Sequence, residues 1–495
     1  PVIVVSSPLT GEVLGEVPTL DARAVQAAVA RARVAAQSWA EQGVRRRVAV
    51  LDKVLAAFVT SREDLIDRLI QETGKVRGDA LTELLIFFDT ARYYLNNAER
   101  LLADEVVTPH LLKHKRGVVT YLPRGVVGII SPWNFPIDLG LGEVFPALLA
   151  GNAVVLKPSE LTPLINIELA RLAQGAGLPG GVLQVITGAG ETGAAMCEEV
   201  DQVTFTGSVN VGRKVAAQAA RRLIPCTLEL GGKDPMLVLR DADLDRAASA
   251  AVWGAFFNSG QMCMSVERVY VEAPVVDAFT KLVVSKTKAL RQGVDGRYTH
   301  DVGSMTRLAQ LEVVEEHLRD AVDAGARVLC GGRRPAGLPE SFFEPTVVAD
   351  VDHTMTLMTE ETFGPVLPIM SVSDAGEAVR LANDSVYGLN ASVWSRDLPT
   401  ARSVARALKS GNVCVNDVVT SYGLVELPFG GEKDSGVGRR HGPGGLRKYA
   451  VTQSIAEDRL RLSREPNWYP YSPRLLGALE RASGLLGGLK SIFRR

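Results

Sequence analysis

The sequence predicts an α/β protein built on parallel sheets covered by helices, and too long for a single core. From Arg124 onward, short apolar strand-like runs alternate with helix-like segments, the texture of a parallel sheet with helices on both faces. A second run of the same alternation begins at Val266 and continues to about Asn416. At 495 residues the chain exceeds the size at which one hydrophobic core stops growing, so two or three domains are expected.

Taken in order, Val2 to Pro18 alternates apolar residues around Thr10-Gly11-Glu12 and reads as a hairpin. Asp21 is placed to cap an Ala-rich helix reaching about Ala40, and further helical stretches run from Arg45 to about Leu102. These helices carry no catalytic pattern and are expected to pack against a sheet. His110 to Leu122 is strand-like. Val126 to Ile130, Ala153 to Lys157, Leu183 to Thr187, Val203 to Thr206 and Thr227 to Leu230 read as buried strands. Helix-like segments fall near Leu139 to Leu149, Leu161 to Ala176, Thr192 to Val200 and Val209 to Leu223. In such a sheet, ligands lie in the crevice beyond the strand C-termini. Pro428 to Arg440 is glycine-rich and reads as a returning loop.

Composition narrows the function classes. Hydrophobic residues at 46% and charged residues at 22% are ordinary for a soluble globular chain. A net charge of −1 argues against nucleic acid as a partner, because phosphate binding needs a concentrated basic face. Cys197, Cys226, Cys263, Cys330 and Cys414 are scattered without a CxxC pair, a pattern of free thiols in a reducing compartment. The histidines lack metal-ligand spacing, so no metal is expected. With no basic, apolar leader at the start and no apolar run of about 18 residues, a cytoplasmic location is expected.

The chemistry concentrates between Leu228 and Cys263. Glu229 is a lone carboxylate in an apolar run beside Gly231 and Gly232, and Cys263 follows Gly260-Gln261 after an aromatic, helix-like segment. A thiol is nucleophilic only as thiolate, so its surroundings are expected to lower its pKa. A poorly solvated carboxylate has a raised pKa, useful for taking a proton from water. The pair suits covalent catalysis followed by hydrolysis. Equally, a lone cysteine can be an inert buried side chain and a Glu before Gly-Gly a turn residue, and their spacing does not decide between these readings.

Longer motifs bear on that choice. Glu229-Leu230-Gly231-Gly232-Lys233 and Phe256-Phe257-Asn258-Ser259-Gly260-Gln261-Met262-Cys263, whose Glu and Cys are 34 residues apart, resemble the two active-site signatures of the aldehyde dehydrogenase superfamily. The resemblance continues through Ser131-Pro132-Trp133-Asn134-Phe135-Pro136, Lys157-Pro158-Ser159-Glu160, Phe205-Thr206-Gly207-Ser208, Glu360-Glu361-Thr362-Phe363-Gly364-Pro365 and Pro428-Phe429-Gly430-Gly431. It covers roughly residues 5 to 456. The run Ser435 to Pro443 is similar to bacterial semialdehyde dehydrogenase-like members.

The resemblance implies an NAD(P)-dependent enzyme that oxidises an aldehyde to a carboxylic acid, with a Rossmann-like cofactor domain, a second α/β catalytic domain and a small β arm for oligomerisation. It implies Cys263 as nucleophile, Glu229 as general base and Asn134 as oxyanion donor. Cofactor contacts are expected at Ser131, Pro132, Trp133, Lys157, Ser159, Glu160, Gly190, Phe205, Thr206, Gly207, Ser208, Gly212, Leu230, Gly231, Glu361 and Phe363. A G-x-G-x-x-G fingerprint is absent, but Gly207-Ser208 opens a helix after a strand, where free N–H groups attract an anion. A carboxylate at Glu160 would repel a 2′-phosphate, which favours NAD, with NADP as the alternative. Asp234 and Glu267 depart from the family pattern, which has small residues or Asn at the first position and often Ser at the second.

By the same resemblance, 1–105 with 124–231 form the NAD(P)-binding domain and 232–427 the catalytic domain. Residues 106–123 and 428–456 form the oligomerisation arm and active-site return loop, in a homodimer or homotetramer. Residues 457–495 are a C-terminal extension. From Pro473, apolar residues recur at three- and four-residue spacing through Leu475, Leu479, Leu486, Leu489 and Phe493 beside five basic side chains. This amphipathic helix is expected to dock on protein, with peripheral membrane contact through 473–495 as the alternative. Rival functions are an acylating aldehyde dehydrogenase, which commonly lacks the Glu base, and a cysteine hydrolase, for which no partner His is evident. Met262, Met264, Trp133, Phe135 and Phe257 favour an apolar or aromatic aldehyde, while arginines near Gly438 leave a semialdehyde open.

Overall fold

The computed structural model describes residues 1–294, 298–465 and 467–488. The chain divides into two compact units, Pro1–Ala103 with Tyr121–Val451, and Asp104–Thr120 with Thr452–Arg495.

The first unit holds two large sheets. The first sheet has the strand order Gly436–Val437, Cys226–Glu229, Gln202–Thr206, Val126–Ile130, Ala153–Lys157, Leu183–Val185, parallel apart from the two-residue Gly436–Val437. Its strands are continuous apolar runs because helices cover both faces, which burial on both sides demands. The chain starts at Val126–Ile130, builds outward one way, then returns to build the other way from Gln202–Thr206. The switch point, where a crevice opens between strand ends, therefore lies between those two strands. The second sheet runs Arg327–Cys330, Thr346–Ala349, Val366–Val372, Val266–Glu272, Asp234–Val238, Asn390–Trp394, Asn412–Val415, with only its first pair antiparallel. The chain passes from the one sheet to the other through Leu230–Lys233.

The N-terminal region follows the sequence pattern with sharper breaks. The hairpin pairs Val2–Ser6 with Val13–Pro18, and Asp21 caps the helix Ala22–Glu41 by accepting from the Ala24 N–H. The stretch read as helical from Arg45 is three helices, Gly43–Thr60, Arg62–Thr73 and Arg77–Leu101. Gly74 ends the second of them with φ 77°, the left-handed stop that glycine adopts without a Cβ penalty. Asp234–Val238, Ala450–Asp458 and two short strands escaped the sequence reading. Gly436–Val437 lies inside the glycine-rich loop, and Glu105–Val107 has too few residues to show alternation.

The second unit is built around a three-stranded sheet ordered Ala450–Asp458, Lys115–Pro123, Glu105–Val107. The strand predicted from His110 begins instead at Lys115, and His110 is exposed. The tail forms a helix over Pro473–Gly488 with Leu479, Leu485 and Leu486 exposed. The expected continuation through Leu489, Lys490, Ile492, Phe493, Arg494 and Arg495 lies outside the described residues. No helix among the described residues is long and apolar enough to cross a membrane.

Candidate active site

The ends of the parallel strands open into a cavity of about 830 Å³ lined by Cys263, Glu229 and Asn134 together. The same walls carry Ser131, Pro132, Trp133, Lys157, Ser159, Glu160, Gly190, Phe205, Thr206, Gly207, Ser208, Leu230, Gly231, Glu361 and Phe363. Gly212 stands apart from the lining. It lies one turn into the helix Val209–Arg222, where a Cβ would come within 2.5 Å of Leu230 Cδ2, so it packs the helix against Leu230.

Cys263 follows the helix Leu244–Phe256, capped by Asp243, and a tight turn over Phe257–Gly260. Asn258 and Ser259 both have left-handed backbone, and a Cβ at Gly260 would strike the Gly364 carbonyl at 2.2 Å. The turn is locked from within. Gln261 donates to the Asn258 carbonyl at 3.0 Å and accepts from the Thr306 N–H at 2.8 Å. Around the thiol lies an apolar cluster of Leu139, Phe257, Met262, Met264, Leu389, Tyr422 and Phe429, with Phe135 stacked on Phe257 at 5.9 Å.

The expectation of a lowered thiol pKa is overturned. Burial pushes the Cys263 thiol well above its ordinary range, and the nearby Glu361, Asp234 and Glu229 push the same way against Arg440. Arg440 opposes that desolvation without cancelling it.

Asn134 sits in the loop after Val126–Ile130. Its side-chain Nδ2 donates one hydrogen to the Gln261 carbonyl at 3.0 Å, which fixes the amide plane and leaves its second hydrogen for the cavity. Its backbone carbonyl accepts from Lys75 Nζ at 2.8 Å and Asn258 Nδ2 at 3.1 Å.

Glu229 ends the strand Cys226–Glu229 and is buried, with Oε1 free of any hydrogen bond in the structure. Burial raises its carboxyl to about 8; Arg440 and Lys448 oppose the rise and Glu143 adds to it. A carboxyl so placed can hold a proton and release it near neutrality.

The far side of the cavity fits a dinucleotide. Ser208 precedes the helix Val209–Arg222 without forming a side-chain cap, which leaves the first N–H groups open to an anion. Lys157 is buried at the end of its strand, bonded to the Pro158 carbonyl at 2.9 Å and 4.0 Å from the exposed Glu160. Burial lowers the Lys157 pKa. Glu361 accepts from the Gly232 N–H at 3.1 Å, and burial lifts its carboxyl to about 8. A Cβ at Gly231 would meet Glu361 Oε2 at 2.2 Å, so the backbone there must be bare for the carboxylate to reach over it. Trp133 and Phe363 meet edge to face at 5.6 Å.

Several residues of this site went unrecognised in the sequence. Glu267 is buried and accepts from the Thr362 and Phe363 N–H groups at 2.8 Å each, while Lys233 Nζ reaches it at 2.6 Å. It thus clamps the segment carrying Glu361 and Phe363, and its departure from the family pattern was the available signal. Lys75 and Glu83, behind Asn134, are wholly buried. Asp79 and Glu83 sit four apart in register with Ala80, Leu84 and Phe87 on the buried face of Arg77–Leu101, and acidic residues inside an apolar stripe were the clue.

The chain matches the aldehyde dehydrogenase family over residues 1–455. It is 42% identical over 470 residues to a 4,4'-diapolycopene aldehyde oxidase of Methylomonas sp, covering 94% of this chain and 88% of that one. It is also 42% identical over 453 residues to a putative succinate-semialdehyde dehydrogenase [NADP(+)] of Mycolicibacterium smegmatis, covering 91% and 88%. Among solved structures, an aldehyde dehydrogenase of Mycobacterium tuberculosis complexed with NAD+ superposes with a TM-score of 0.88 at 36% identity, covering 94% of this chain and 95% of that one.

Proposed function

The chain belongs to the aldehyde dehydrogenase family, whose reaction is the NAD(P)-dependent oxidation of an aldehyde, and from that premise we propose how its own residues divide the work. Cys263 gives up its thiol proton to water in the cavity and attacks the aldehyde carbonyl as thiolate, and Asn134 Nδ2 with the Cys263 N–H receives the oxyanion of the thiohemiacetal. When held in this cavity, a dinucleotide would supply the acceptor for the hydride that leaves this carbon. Cys263 is left as a thioester, and Glu229 takes a proton from the water that hydrolyses it. The observation that carries this reading is that a thiol, a fixed amide donor and a buried unbonded carboxyl oxygen share one cavity with an uncapped helix start. Cys263→Ser tests it: reduced-dinucleotide absorbance is expected to stay at background with aldehydes, and oxidation at the parent rate would sink the assignment.

On the dinucleotide side we assign anion contacts to the Gly207-Ser208 helix start and ribose contacts to Lys157, Ser159, Glu160 and Glu361. Ser131, Pro132, Trp133, Gly190, Phe205, Thr206, Leu230, Gly231 and Phe363 complete the walls, and Gly212 acts through Leu230. The exposed Glu160 carboxylate supports NAD over NADP.

The substrate we propose is an apolar aldehyde. The Cys263 cluster is aliphatic and aromatic, and of the two arginines near Gly438, Arg439 pairs with Glu432 while the buried Arg440, 3.5 Å from Glu143, is not among the residues lining the cavity. A higher kcat/KM for medium-chain or aromatic aldehydes than for succinate semialdehyde is expected, and the reverse order would overturn this choice. We further propose a cytoplasmic homo-oligomer, dimer or tetramer, assembled through the sheet of 105–107, 115–123 and 450–458. Its exposed Val106, Val107, Val451 and Ile455 support that use, and sedimentation velocity distinguishes it from a monomer. The tail helix is assigned to docking on protein. Liposome co-sedimentation of the full chain, but not of a chain ending at residue 472, would favour the membrane alternative.

A further inference from the structure

Behind Asn134, on the side away from the cavity, lies a buried polar network that the reaction as described does not use. Lys75 follows Gly74 at the end of one helix, and its side chain is fully buried. Its ammonium has three neighbours: Glu83 Oε2 at 2.5 Å, the Asn134 carbonyl at 2.8 Å and the Phe135 ring at 4.4 Å. The other oxygen of Glu83 accepts from the Ile137 N–H at 2.8 Å and the Asp138 N–H at 3.3 Å, at the start of the helix Asp138–Leu149. Four residues earlier on the same face, Asp79 accepts from the Asn258 N–H at 3.0 Å.

One helix face thus grips both halves of the carbonyl-binding end of the site. Lys75 and Glu83 hold the loop of Asn134 from Asn134 to Asp138. Asp79 holds the turn leading to Cys263, and Asn258 ties the two together by donating to the Asn134 and Gln261 carbonyls. A buried ion pair is seldom a net gain in stability over an apolar pair of similar volume, because both charges lose their water. What it supplies here is direction, since Glu83 Oε1 and the Lys75 ammonium each meet backbone atoms of the same short loop while Glu83 Oε2 holds the ammonium in place.

We propose that Lys75, with Glu83, is a positioning residue for the oxyanion donor: its ammonium holds the Asn134 carbonyl, and through the loop fixes where the Asn134 side-chain amide points. The inference rests on the role assigned to Asn134 above. Removing one preorganised donor costs on the order of 100-fold or more, and small misplacements of a catalytic group can cost a similar factor.

The test is a double-mutant cycle on the holoenzyme with Lys75→Met and Asn134→Ala, scored by the first-turnover rate of aldehyde oxidation. Alkylation of Cys263 by iodoacetamide, which forms no oxyanion, serves as the control and is followed by mass spectrometry. Lys75→Met is expected to slow the first turnover about 100-fold, leave Cys263 alkylation within about twofold, and add little to the loss already present in Asn134→Ala. Parent-like turnover in Lys75→Met, full additivity of the two losses, or alkylation falling in step with oxidation would each overturn the proposal. Should Lys75→Met fail to fold with Glu83 left unpaired, Lys75→Met/Glu83→Met removes both charges and carries the same cycle. Parent-like turnover in Asn134→Ala would instead remove the oxyanion role of Asn134 itself, a failure distinct from a slow Asn134→Ala beside a parent-like Lys75→Met.

Discussion

The raised carboxyl of Glu229 has a consequence that a single substitution isolates. If Glu229 is the base for thioester hydrolysis, the step requires its ionised form, and burial raises its pKa to about 8. The ionised fraction is then about one tenth at pH 7 and about nine tenths at pH 9, so deacylation should gain about tenfold over that range and level off above it. Following aldehyde turnover would mix this effect with ionisation of Cys263, whose thiol is also raised. Acylating Cys263 with an activated ester removes that group from the titration, and stopped-flow decay of the acyl-enzyme reports hydrolysis alone. Glu229→Gln is expected to deacylate about 100-fold or more slowly, without a plateau. A parent-like rate in this variant, or a parent rate rising tenfold per pH unit through pH 9 as direct hydroxide attack would, refutes the reasoning. Stability offers an independent check on sign. A carboxyl raised on folding contributes stability that is present below its unfolded pKa and is lost as pH rises through about 8. Glu229→Gln should therefore melt higher relative to the parent at pH 9 than at pH 5, by up to a few kcal/mol in the linkage limit.

Other substitutions test the dinucleotide side. Glu160→Gln should raise the NADP to NAD ratio of kcat/KM, and an unchanged ratio would take Glu160 out of ribose recognition. Glu267→Gln loosens the clamp on Thr362 and Phe363, so the KM for dinucleotide should rise several-fold while iodoacetamide still alkylates Cys263 at the parent rate; an unaltered KM in isothermal and steady-state measurements would count against the clamp. Gly212→Ala forces Leu230 toward the cavity, because its Cβ would sit 2.5 Å from Leu230 Cδ2. The overpacking costs about 1–3 kcal/mol before relaxation, and weaker dinucleotide binding by fluorescence titration is the expected sign.

Much of the fold could be read in advance because a doubly covered parallel sheet writes itself as unbroken apolar runs separated by helical periodicity. The strands from Val126 to Glu229 and the helices between them appear within a few residues of where that pattern puts them. The proposal of Cys263, Glu229 and Asn134, which line one cavity, comes from motif resemblance, since neither the cysteine nor the glutamate is distinctive by itself. What stayed hidden depends on contacts between distant segments. Lys75 looks like any solvated lysine after a glycine until the loop of Asn134 closes over it, 59 positions later. The direction of the Cys263 shift was misjudged for the same reason: a sequence shows which groups can ionise, but not that Glu361, Asp234 and Glu229 all converge on one sulfur.

The two-residue strand Gly436–Val437 closes the outer margin of the first sheet, alongside the strand that ends in Glu229. Gly436 comes so near that a Cβ there would sit 2.2 Å from the Leu228 carbonyl. Any side chain at 436 would therefore peel this seal away and bare a row of unsatisfied amides and carbonyls. Such a margin is a template for a neighbouring molecule. Damage at this glycine would show as turbidity in concentrated solution together with slower acyl-enzyme hydrolysis, since Gly436 pairs with Glu229 itself.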